Sequence, residues 1–175
     1  MREGNNFKKN LNKSVFLSLM VAVALGIYVI EAQIPVIFPG IKLGLSNVVS
    51  LIVLITFGGK EAILVMFLRT LLGTMFTGTL SSFLFSITGG LLSNIVTIVM
   101  YKRFKKYFSI EIISIVGAVF HNLGQLLVAA FIVQDFRIYI YFPILMISAL
   151  ITGYFVGLVV KYFNKHVEKM KIRDK

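Results

Sequence analysis

Residues 80–133 read LSSFLFSITGGLLSNIVTIVMYKRFKKYFSIEIISIVGAVFHNLGQLLVAAFIV. Two long apolar runs, Leu80–Tyr101 and Ile110–Val133, flank a basic block of Lys102, Arg103, Lys105 and Lys106. A helix needs about 20 apolar residues to cross the hydrocarbon of a bilayer. Basic residues between such runs set the orientation of the helices. The stretch therefore predicts two membrane-spanning helices joined by a short cytoplasmic loop.

The same pattern extends in both directions. Ser14–Ile34, Gly44–Phe57, Lys60–Phe76 and Ile138–Phe163 are the other apolar segments, the second and third of the six being short. Four or five spans, with those two re-entrant, are the alternative arrangement. Pro35–Lys42 holds two of the three prolines and Gly40 and reads as irregular. Gly58-Gly59 reads as a tight turn. Pro143 falls in the first turns of the sixth helix, where proline is tolerated. The first apolar run follows basic residues, as a signal peptide does. It is long for one, and Glu31-Ala32-Gln33 before Pro35 is a poor cleavage site, so it reads as a retained helix. The expected fold is an all-α membrane protein, a bundle of six transmembrane helices. It divides into a basic tail (1–13), a transmembrane domain (14–163) and a second basic tail (164–175).

Composition agrees. Hydrophobic residues make up 58% of the 175-residue chain and charged residues 14%, with 14 glycines. Soluble domains carry about 25% charged residues. Mean hydropathy is +0.91. A soluble globule of this size cannot hide so much apolar surface. That excludes a soluble enzyme, a disordered tail and a disulfide-stapled domain. There is no cysteine, so thiolate metal sites are excluded too. The net charge of +11 resembles that of a nucleic-acid binder. Its basic residues, however, lie in separate loops with no reading motif, so no nucleic-acid partner is expected. With six spans and the N-terminus inside, fifteen of the 18 Lys and Arg fall in cytoplasmic segments. Only Lys42 and Arg137 fall outside, and Arg69 lies within a span. Both termini are accordingly expected in the cytoplasm, with lipid around the bundle.

Polar groups at membrane depth carry the functional information, because a charge at mid-bilayer costs about 2.5–3.5 kcal/mol. Arg69 requires an acidic partner such as Glu31, backbone carbonyls, or an anionic ligand. His121, Asn122 and Gln125 lie within five residues of the fifth helix and point to a polar cavity. Lys42 and Asn47 near the second helix, and Glu31 near the end of the first, place that cavity at the outer side. Asp135, Arg137 and Tyr139 form an outer mouth. The substrate-binding candidates are thus Lys42, Asn47, Arg69, His121, Asn122 and Gln125, with Pro35–Lys42 closing over the ligand. Small residues recur every four positions on the first helix (Ser18, Ala22, Gly26) and on the sixth (Ala149, Gly153, Gly157). Such stripes pack a protein's own helices or dock a partner. No catalytic residue, metal site or cofactor is expected. The seven acids are spread singly, without the acidic pairs that hold magnesium in prenyl-transfer enzymes.

Several segments resemble a known family. They are Pro39–Val48 (Lys42-Leu43-Gly44-Leu45-Ser46-Asn47), Phe57–Ala62, Leu68–Gly73, Ser86–Ser93 and Gly117–Gln125 (His121-Asn122-Leu123-Gly124-Gln125). Over residues 15–160 the chain resembles the bacterial Gx transporter family, also called heptaprenyl diphosphate synthase component I. That family is similar to the S components of energy-coupling factor (ECF) vitamin transporters. The resemblance implies a six-helix protein of the bacterial cytoplasmic membrane that binds a small molecule near its outer surface. It also implies partners: a transmembrane coupling protein and two ATPase subunits. The coupling protein would meet small residues of the first helix. Here these are Ala22 and Gly26, where the S components carry an Ala-x-x-x-Ala pattern. The alternative implied by the family's second label is a non-catalytic membrane component of heptaprenyl diphosphate synthesis.

Overall fold

The computed structural model describes residues 2–33, 43–77 and 80–173. Among them lie α1 (Arg2–Glu31), α2 (Asn47–Thr56), α3 (Gly59–Thr77), α4 (Leu80–Phe104), α5 (Ile110–Val133) and α6 (Phe142–Arg173). A 3-10 turn, Phe136–Tyr141, joins α5 to α6, and no strand occurs among the described residues. The fold is all-α, as expected. The basic segments at both ends are helical and continuous with α1 and α6.

Among the described residues, four helices are long and apolar enough to cross a membrane: Asn10–Glu31 of α1, α4, α5, and Phe136–Val167, which includes most of α6. The other two differ for physical reasons. The ten residues of α2 extend only about 15 Å. All six residues from Val49 to Leu54 are buried, and α2 packs against α1, α3, α4 and α6. A helix that is apolar on every side belongs inside a bundle. Thus α2 is an interior half-length helix rather than a lipid-facing one. With 19 residues, α3 is long enough, at about 28 Å, but it carries Lys60, Glu61 and Arg69.

The reversal between α2 and α3 requires Gly58. Its φ is +117°, and the amides of Phe57 and Gly58 both donate to the Val53 carbonyl, at 2.8 and 3.2 Å. Lys13 on α1 pairs with Glu61 beside this turn at 2.6 Å, and Lys161 on α6 pairs with Glu111 at the start of α5 at 2.5 Å. The basic segments therefore gather at one end of the bundle. At the outside, Phe131, Ile140 and Met75 are each more than 75% exposed, an exterior suited to lipid.

Close helix approach sets the packing of α4, α5 and α6. A Cβ on Gly124 of α5 would stand 2.8 Å from the Cα of Gly89 on α4. On α6, a Cβ on Gly153 or Gly157 would stand 2.7 Å from Ile115 Cα or 2.5 Å from Glu111 Cα. The Ala149, Gly153 and Gly157 stripe thus packs the bundle itself. The similar stripe on α1 does not. Ser18, Ala22 and Gly26 are exposed, and among the described residues no atom of another helix lies within 4 Å of a Cβ built on Gly26.

Candidate functional site

The polar site forms at the bundle end opposite the paired lysines, where α1 finishes and α2 begins. Glu31, the last residue of α1, is 2% exposed. Its carboxylate accepts hydrogen bonds from the amides of Gly44 and Ser46, the latter at 3.4 Å. An anion at the N-terminus of α2 complements the free amides and the helix dipole there. Gly44 has φ +78°, and a Cβ on it would lie 2.9 Å from His121 Cδ2. Both its backbone conformation and its contact with α5 demand glycine.

Arg69 enters from α3. It is 2% exposed, and its Nη2 donates to Asn47 Oδ1 at 2.5 Å. Its Nε and Nη1 are buried with no hydrogen-bond partner among the described residues. Glu31 and Arg69 line the same cavity, yet among the described residues Arg69 forms no ion pair within 4.0 Å. Glu31 is engaged instead by the chain leading into α2. The cavity encloses about 210 Å³ and is also lined by Tyr28, Gly44, Ser46, Thr70, Ser86 and His121. Tyr28 and Ser86 share a hydrogen bond of 3.2 Å that ties α1 to α4.

The His121, Asn122 and Gln125 group is divided among three neighbours. His121 faces this cavity. Asn122, turned about 100° further round the helix, donates from Nδ2 to the Leu145 carbonyl of α6 at 2.8 Å. Gln125 is fully buried and meets α4, its Cγ 3.0 Å from where a Cβ of Gly89 would be. Asn122→Ala is therefore expected to lower the melting temperature without ligand, by removing an α5–α6 bond worth about 1–3 kcal/mol once its acceptor is stranded. His121→Ala should also weaken ligand binding, because His121 lines the cavity. Thermal melts with and without ligand separate the two. Lys42 and the Pro35–Lys42 segment lie outside the described residues. Asp135 accepts from the Arg137 amide at 2.9 Å and caps the 3-10 turn. Asp135, Arg137 and Tyr139 line neither cavity described here.

A second cavity, about 380 Å³, adjoins the first at Gly44 and lies between α2, α4, α5 and α6. Asn47 lines it while also holding Arg69. The sequence reading missed most of its polar wall: Ser50, Ser93, Asn94, Thr97, Ser114 and Thr152. It also missed Tyr28, Thr70 and Ser86. The signal was present on α4, where Ser82, Ser86, Gly89, Ser93 and Thr97 recur at intervals of three or four and are all buried.

Fold and site together define a helical, membrane-compatible bundle built around a buried polar site. The sequence model of the family described as heptaprenyl diphosphate synthase component I matches residues 20–163. The chain belongs to that family. No match was found among curated proteins or among solved structures.

Proposed function

We propose that this protein is a solute-binding subunit of the bacterial cytoplasmic membrane, similar in role to the S components of ECF-type uptake transporters. The observation that carries the reading is Arg69. A buried guanidinium with two nitrogens unpartnered among the described residues, facing a polar cavity, fits a ligand that brings a carboxylate, phosphate or carbonyl oxygen. Asn47 holds the guanidinium in place, His121 and the hydroxyls of Tyr28, Thr70 and Ser86 surround the bound group, and Glu31 balances the charge of the empty site. Both termini face the cytoplasm in this reading.

Transport needs an energy source, which partner chains supply: a transmembrane coupling protein and two ATPases. The α1 stripe is a suitable docking surface, since Ser18, Ala22 and Gly26 are exposed and unused by the bundle. Gly26→Leu should leave the isolated protein folded and remove the partner, because a bulky side chain blocks close helix approach. Affinity purification from native membranes tests this. Wild type should bring down ATPase subunits and Gly26→Leu should not. Equal recovery from both would refute docking through α1.

The family's description suggests a second reading, and in it the chain is a membrane component that serves heptaprenyl diphosphate synthesis without performing catalysis. The same purification distinguishes the two. A prenyl synthase subunit in place of ATPases supports the second.

A further inference from the structure

The inner cavity has a chemistry of its own, independent of the ligand at Arg69. Its polar wall is uncharged, and no carboxylate, histidine or lysine occurs among the described residues that line it. Three of its side chains have a hydrogen committed to their own helices. Asn94 Nδ2 donates to the Gly90 carbonyl at 2.9 Å. The Thr97 hydroxyl donates to the Ser93 or Asn94 carbonyl, at 2.9 or 3.0 Å. The Thr152 hydroxyl donates to the Ser148 carbonyl at 2.9 Å. Each bond runs back along its own helix. What Thr97 and Thr152 offer the cavity is oxygen lone pairs, and Asn94 adds the lone pairs of its Oδ1.

Ser50 adds an independent observation. It is 3% exposed on α2, lines the cavity, and its Oγ has no hydrogen-bond partner among the described residues. A buried polar atom left unmatched is costly, and the Ser50 oxygen beside those of Asn94, Thr97 and Thr152 suits a guest that brings positive charge. The space suits roughly one or two guests the size of water. Hard cations take oxygen ligands, and divalent ions draw on carboxylates, which this wall lacks. We propose that the inner cavity binds a monovalent cation of about sodium size. Asn94 Oδ1 and the hydroxyls of Ser50, Thr97 and Thr152 are its ligands, and the bound ion draws α2, α4 and α6 together.

The test is thermal unfolding of the detergent-purified protein, without any organic ligand, in sodium, potassium and N-methyl-D-glucamine chlorides at equal ionic strength. Sodium should raise the melting temperature saturably, by roughly 5 °C at high occupancy. Potassium should do less, and the organic cation nothing. Ser50→Ala removes a hydroxyl that the protein itself does not use, so the variant should fold and need several-fold more sodium for the same rise. Thr97→Val keeps the shape, removes a ligand oxygen and should do the same, while Thr97→Ser should restore the response. Arg69→Gln should retain the sodium response, which keeps this result separate from the ligand reading. Equal melting in all three salts would mean a cavity holding water alone and would overturn the proposal. A sodium effect unchanged in both Ser50→Ala and Thr97→Val would place the ion elsewhere and overturn it equally.

Discussion

Glu31→Ala should destabilise the protein by about 2–4 kcal/mol, because it leaves two buried amides unpaired and removes the carboxylate that shares a cavity with a buried cation. Glu31 and Arg69 line one cavity, each 2% exposed. The carboxylate also holds the Gly44 and Ser46 amides that lead the chain into α2. Its loss therefore removes both an electrostatic partner and the anchor of the α2 N-terminus. Thermal unfolding in detergent, read at equal protein concentration, reports the loss. The double variant Glu31→Ala, Arg69→Leu should regain part of it, since the stranded charge is then gone. A single Glu31→Ala variant that melts like wild type would show that the charge of Arg69 is balanced elsewhere.

The second large effect belongs to α6. Gly157→Leu should abolish recovery of folded protein, and Gly153→Leu should nearly do so. Overpacking inside a core usually costs about 1–3 kcal/mol, because side chains can shift. Here the first added carbon would meet backbone, 2.5 Å from Glu111 Cα or 2.7 Å from Ile115 Cα. Relief requires α5 and α6 to separate, which would also break the Lys161–Glu111 pair. A cost above about 4 kcal/mol is expected. Gly26→Leu is the matched control, since α1 has open space there. Size-exclusion profiles should show a monodisperse peak for Gly26→Leu and none for Gly157→Leu. A normal peak for Gly157→Leu would contradict the α5–α6 contact.

These variants also show where the sequence was informative. Apolar length and basic punctuation disclosed the helices and the Gly58-Gly59 reversal, because both follow from local rules of solvation and backbone geometry. The depth of α2 did not follow. A ten-residue apolar run looks alike whether it touches lipid or protein, and only the packing of Val49–Leu54 against four helices decides it. The two small-residue stripes were likewise indistinguishable in sequence. Neighbours place Gly157 against a helix backbone and leave Gly26 open. Charge made Arg69 legible, since an arginine at that depth must be explained. Asn122 was grouped with His121 by proximity along the helix, but one residue is a 100° turn, enough to aim it at the Leu145 carbonyl. The hydroxyl wall of α4 escaped notice because serine and threonine at membrane depth bond to their own helix and carry no charge. Their recurrence along one face, rather than any single residue, is the recoverable signal.

The central claim is that Arg69 receives a small anionic or carbonyl-bearing solute. Its most direct test is native mass spectrometry of the protein released gently from its own membranes, with Arg69→Gln prepared alongside. Glutamine retains hydrogen-bonding capacity in a shorter, uncharged side chain, the Asn47 contact is the only protein hydrogen bond found for the Arg69 side chain among the described residues, and Glu31 keeps the Gly44 and Ser46 amides when the guanidinium is gone. Wild type should carry a bound small molecule with an acidic or carbonyl group, and Arg69→Gln should be folded and empty. Wild type without any bound solute, or Arg69→Gln carrying the same molecule at the same occupancy, would contradict the account.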